Sequence, residues 1–113
     1  MDRNSRDFSI IAHMIDYCTK VEVTKKKCQN GYEDFKADEL YQLACAMCIL
    51  QIGELANGLS DEYKNMHQAI PWKEVRGMRN ILAHRYGTLD IEVLWETVTE
   101  DIPELERELK NLL

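Results

Sequence analysis

From Ile91 onward, apolar side chains fall at Ile91, Trp95, Val98, Ile102, Leu105, Leu109 and Leu112, alternating four and three residues apart. That alternation is the narrow seam along which one helix packs on another, so it commits the chain to helix-on-helix packing. Asp90 is placed to cap the start of this helix. Pro103 lies inside the seam and removes the backbone bond to the carbonyl of Thr99, so the helix must kink or restart there. Glu100, Asp101, Glu104, Glu106 and Glu108 form its solvated face.

The rest of the chain supplies the helices that the seam needs. Residues 5–27 read as a first amphipathic helix, with Phe8, Ile11, Ile15, Cys18 and Glu22 on one face and Ala12, Met14 and Val21 beside it. Lys25, Lys26 and Lys27 complement its C-terminal dipole, with contact to RNA as the alternative. From Gln29 to Lys36 the sequence turns polar around Asn30-Gly31 and reads as a loop. Asp38 caps a second helix that runs to about Asn57 and stops at Gly58. Leu40, Leu43, Met47, Leu50 and Glu54 follow helical spacing there, which predicts the most buried helix of the fold.

Gly53 inside that helix and Gly77 in a later one each cost up to about 1 kcal/mol of helix propensity relative to alanine; a close crossing of the two helices would explain both. Glu54 on the apolar side needs a partner, either Arg76 or Arg79, with a direct catalytic role as the alternative. Ser60-Asp61-Glu62 starts a short helix ending near His67, a surface or packing residue. Pro71 opens the next helix, Trp72, Val75, Met78 and Leu82 give it an apolar stripe, and Gly87 is placed to end it. The expected fold is all-α: one domain over residues 1–113, an antiparallel bundle of four long helices and one short one.

Composition narrows the function. The 113 residues are 45% hydrophobic and 30% charged, as in globular domains, and small enough that an oligomer would add stability. No apolar run approaches the roughly 18 residues of a membrane span, and no signal peptide is evident, so a cytoplasmic protein is expected. Cys45 and Cys48 have C-x2-C spacing but lie in an apolar helical run without a second pair, and Cys18 and Cys28 show no pattern. With His13, His67 and His84 far apart, neither a metal site nor a cofactor is expected. Phosphate-cradling glycine loops and serine-nucleophile motifs are also missing from the sequence.

Charge is unevenly spread. The net charge is −6, yet residues 73–86 hold four of the fourteen Lys and Arg and one of the twenty acids, leaving ten basic against nineteen acidic elsewhere. A local positive site on a repelling body fits a small RNA-contacting cleft or a partner surface. Arginine offers phosphate a planar, permanently charged fork, and imidazole exchanges a proton near neutral pH. Arg79 and His84 together could therefore cleave RNA through its own 2'-OH without metal. On an ideal helix the two lie roughly 140° apart while Asn80 shares a face with His84, so convergence needs a turn near His84. The alternative is that both are surface cations near a helix C-terminus.

Arg79-x4-His84-x-Tyr86, with Asn80 after the arginine and Ile70-Pro71-Trp72 before it, resembles the signature of HepT-like toxins of the HEPN ribonuclease superfamily. Ile52-Gly53-Glu54-Leu55-Ala56, Leu59-Ser60, Val93-Leu94-Trp95 and Ile102-Pro103-x-Leu105 extend the likeness from about residue 38 to the end. The resemblance implies a helical homodimer in which Arg79 and His84 form a metal-independent RNA endonuclease site at the protomer boundary. Asn80 and Glu54 would support that site and Arg76 and Arg85 would contact RNA, leaving 2',3'-cyclic phosphate ends. It further implies the toxin of a type VII toxin–antitoxin pair, neutralised when a MntA-like minimal nucleotidyltransferase antitoxin transfers AMP to Tyr86. The competing expectation is a helical module that binds such a nucleotidyltransferase and has no turnover of its own.

Overall fold

A computed structural model describes residues 3–82 and 89–113. Helices make up the fold, and no strand occurs among the described residues. Two long helices, α1 (Arg3–Lys27) and α3 (Glu39–Asn57), pack side by side. They run antiparallel: Asp7 and Ile10 meet residues 58–60 at one end, and Thr24 reaches Cys45 at the other.

The first helix buries Asp7, Ile10, Ile11, Met14, Cys18 and Val21. Phe8, expected inside, is 47% exposed and packs edge-on to Tyr63 instead, so the buried face is rotated slightly from the one the sequence suggested. Asp7 explains part of the rotation. Its buried carboxylate accepts the backbone N–H of Ser60 at 3.0 Å and the Ser60 hydroxyl at 2.7 Å. That hydroxyl also accepts the Tyr63 N–H at 3.1 Å and so caps α4 (Asp61–Met66).

Residues 29–36 do not form the expected loop throughout. Asn30-Gly31 makes the turn, with Gly31 at φ 65°, but Tyr32–Ala37 is helical (α2). Fully buried Phe35 anchors α2 against Trp95 at 4.9 Å between ring centroids. Buried Gln42 ties its end to α3 by donating to the carbonyls of Phe35 and Lys36. Asp38 caps α3 as expected, accepting the N–H groups of Leu40 and Tyr41.

The larger correction concerns α3 itself. Leu40, Leu43 and Met47 are 74%, 50% and 53% exposed, Leu50 is half-buried and Glu54 is exposed. The buried side is instead Cys45, Ala46, Ile49, Ile52, Gly53 and Ala56, nearly opposite on the helix. Ala46, Gly53 and Ala56 on that side let neighbouring segments approach closely, while Ile49 and Ile52 fill the core between them. The bulkier stripe faces out.

Pro71 is the residue just before α5 (Trp72–Gly77), and its carbonyl accepts the Val75 N–H at 3.0 Å. Trp72 and Val75 are buried as expected, with the Trp72 indole N–H donating to the His67 carbonyl. The α-helix ends sooner than expected: Met78–Leu82 tightens into a 3₁₀ helix. The expected stop at Gly87 lies outside the described residues.

The C-terminal seam forms in its middle as the spacing predicts, while Ile91, Trp95 and Leu112 are only half-buried and Leu94, outside that spacing, is the buried residue of the first turns. Asp90 caps α6 (Ile91–Glu96) through the Val93 N–H, and Leu94, Val98, Ile102, Leu105 and Leu109 are buried. Pro103 is accommodated by a π-helical turn over Thr97–Asp101, after which α7 (Ile102–Lys110) restarts with the proline in its first turn. The wider turn absorbs the missing donor without breaking the seam. Within the turn, the Thr97 and Thr99 hydroxyls donate to the Val93 and Trp95 carbonyls.

Candidate functional site

The 3₁₀ segment crosses α3 at Gly53. A Cβ built on Gly53 would lie 3.0 Å from the Arg79 backbone nitrogen, 3.1 Å from the Arg76 carbonyl oxygen and 3.1 Å from the Arg79 Cβ. Two of those three neighbours are backbone, which cannot swing aside as a side chain can. Glycine is therefore what allows the Arg79 main chain to rest on α3. The close crossing expected from Gly53 is present; Gly77, expected to share it, has nothing among the described residues within 4 Å of a built Cβ.

One residue along α3, Glu54 Oε1 accepts from Arg79 Nη1 at 3.0 Å. Of the two partners the sequence allowed for Glu54, the structure selects Arg79. Both side chains keep water contact, 38% and 51% exposed, so the pair contributes at most about 1 kcal/mol to stability. Its larger consequence is geometric, because the pair fixes the direction of the guanidinium while leaving it open to an anion. Asn80 on the same segment and Arg76 in the last turn of α5 are exposed.

His84, Arg85 and Tyr86, the other site residues expected from the sequence, lie outside the described residues. Among the described residues, no group of three or more His, Cys, Asp or Glu side chains is arranged to hold a metal ion. The cysteines are buried. Burial, helped by Glu106 and Glu22, pushes the Cys18 thiol up to about 12, and burial does the same to Cys45. Neither supplies a thiolate nucleophile near neutral pH.

The stripe Leu40, Leu43 and Met47, expected to face the core, faces outward and leads along α3 to Glu54. A signal was available: α3 is apolar on both of its faces, as a helix covered from two sides must be.

The model of the family described as "Ribonuclease HepT-like" matches residues 14–112. A Thermococcus cleftensis protein named "Probable ribonuclease HepT" is 36% identical over 113 residues, covering 99% of this chain and 98% of the relative. A Caldanaerobacter subterraneus subsp. tengcongensis protein that carries an RNase name is 38% identical over 83 residues, 74% of each chain. A Methanocaldococcus jannaschii protein that also carries an RNase name is 32% identical over 106 residues, 94% of this chain and 86% of the relative. No solved structure matches the chain significantly. Among the described residues, no helix is long and apolar enough to cross a membrane.

Proposed function

Because the chain belongs to the ribonuclease HepT-like family, we propose that it is a metal-independent RNA endonuclease acting through Arg79 and His84. The observation that carries this reading is the pinned arginine: its main chain rests on Gly53, its guanidinium is aimed by Glu54, and it remains accessible to a phosphate. A phosphate can accept from the guanidinium N–H groups that the single Glu54 contact leaves unused. In the proposed reaction the His84 imidazole takes the proton of the RNA 2'-OH. The freed oxygen attacks the adjacent phosphorus while Arg79 stabilises the charge on the non-bridging oxygens. The P–O5' bond breaks, the 5'-oxygen receives the proton directly or through water, and a 2',3'-cyclic phosphate remains. Asn80 supports the pair, and Arg76 and Arg85 hold flanking phosphates.

The active form is proposed to be a homodimer. Its support is the exposed stripe Leu40, Leu43 and Met47, which is apolar and leads along the same helix to Glu54. Large apolar side chains left in water at helical spacing mark a surface for another protein. A twofold packing on α3 would bring the two Arg79 segments towards one shared cleft.

The decisive experiment incubates the purified protein with total RNA in EDTA. Cleavage leaving 2',3'-cyclic phosphate ends is expected; intact RNA would favour the non-catalytic nucleotidyltransferase-binding module instead.

The same reading makes the protein the toxin of a type VII toxin–antitoxin pair. A MntA-like nucleotidyltransferase antitoxin would silence it when the Tyr86 hydroxyl attacks the α-phosphate of ATP, forming a phosphotyrosyl bond to AMP and releasing pyrophosphate. Bulk and negative charge added within the same Arg79-x4-His84-x-Tyr86 motif would compete with RNA for the same cation. Mass spectrometry after co-expression with such an enzyme should find the adenylate on Tyr86; an adduct elsewhere would refute the assignment.

A further inference from the structure

Between α5 and the start of α7 lies a groove of about 350 Å³ that the proposed ribonuclease chemistry does not use. Its floor is apolar, made by Pro71, Val75, Met78 and Leu105. Glu74 stands on one wall and Asp101, Glu104 and Glu108 on the other, and among the described residues no Lys, Arg or His lines it. Among the described residues none of these four carboxylates has an ion-pair partner, in contrast to Glu106, which pairs with Lys110 at 3.3 Å.

The π turn gives the groove its outer edge. By admitting an extra residue before Pro103, it sets Asp101 where this groove meets a second depression around Trp95, Glu96 and Glu100. Burial and the nearby Glu96, Glu104 and Glu100 raise the Asp101 carboxyl above its usual range, a sign that negative charge is crowded here without compensation.

We propose that this acid-walled apolar groove docks a Lys- or Arg-bearing amphipathic helix of a protein partner. Complementarity of two kinds points to that occupant. An apolar side chain fills the floor, where a hydrated metal ion would gain nothing, and cations on the flanking turns meet Glu104, Glu108 and Glu74. Nucleic acid is repelled by the same walls. The acidic face continues through Glu100 and Glu96 to Glu92, and sixteen residues of helical rise from Glu92 to Glu108 span about 24 Å. Such a length suits several turns of a partner helix better than a small polyamine. Arg79 follows Met78 in the chain but does not itself line the groove, and the proposal does not rest on the ribonuclease reading.

The test uses a fluorescein-labelled 18-residue helical peptide of leucine and lysine, its glutamine-for-lysine counterpart, and spermine as competitor, read by fluorescence anisotropy. Expected is binding of the lysine peptide at least about tenfold tighter than that of the glutamine peptide. Glu104→Lys with Glu108→Lys should weaken it about tenfold or more, and Met78→Ala should weaken it about threefold without any change of charge. The charge-matched pair Asp16→Lys with Asp61→Lys, on α1 and α4, should leave affinity within about twofold. Equal losses in the two double variants, an unchanged Met78→Ala, or a glutamine peptide that binds as well would each overturn the proposal. Displacement by spermine at matched charge would assign the groove to a small polycation instead. Helical circular dichroism confirms that every variant is folded, and RNA cleavage by the Glu104/Glu108 variant should equal that of the parent.

Discussion

Arg79→Ala should lower RNA cleavage about 10²- to 10³-fold, the usual cost of removing one preorganised donor from a developing anion. His84→Ala should abolish it, because no other group then takes the 2'-OH proton. The structure makes the arginine variant a clean experiment. Arg79 is 38% exposed and its partner Glu54 51% exposed, so truncation leaves a solvated carboxylate and costs little stability. Helical circular dichroism and oligomer mass should match the parent. Arg79→Lys should recover only part of the rate, since an ammonium carries the charge without the fork. Parent-like cleavage by either alanine variant, measured on the same RNA in EDTA, would remove that residue from the chemistry.

Leu43→Asp combined with Met47→Asp should convert a dimer into a 13.2 kDa monomer and abolish cleavage with it. Two carboxylates placed opposite their own copies across a twofold axis would be desolvated together, a cost that an apolar helix pair cannot offset. Within one chain the same positions are about half exposed, so the variant should remain folded. Light scattering coupled to size exclusion reads the mass, and thermal unfolding separates dissociation from unfolding. A double variant that stays dimeric would place the subunit boundary elsewhere; a parent that is already monomeric would remove the dimer from the mechanism.

Much of this molecule can be read from its residues, and the exceptions have physical causes. The seam from Ile91 to Leu112 is legible because a single period allows one packing solution, and the π turn lets that period survive Pro103. Gly53 is legible because glycine inside a helix is a cost that a close crossing repays, and Glu54 because a carboxylate beside such a crossing finds the nearest arginine. The face of α3 was read backwards for a different reason. It carries two apolar stripes, and hydropathy cannot distinguish a stripe that meets its own chain from one left for another molecule. The α2 helix was hidden because its one strong anchor, Phe35, is matched by Trp95, sixty positions away in sequence. Nothing in the structure explains why residue 77 is glycine.

The arginine's perch on Gly53 has a consequence for how the protein fails. Arg79 belongs by sequence to a short, tightly wound segment, the kind that opens first under heat or denaturant. By contact it belongs to α3, whose inner face is the centre of the molecule. Its placement should therefore persist until the central helix pair itself parts, so that loss of the anion-binding geometry and global melting arrive as a single event.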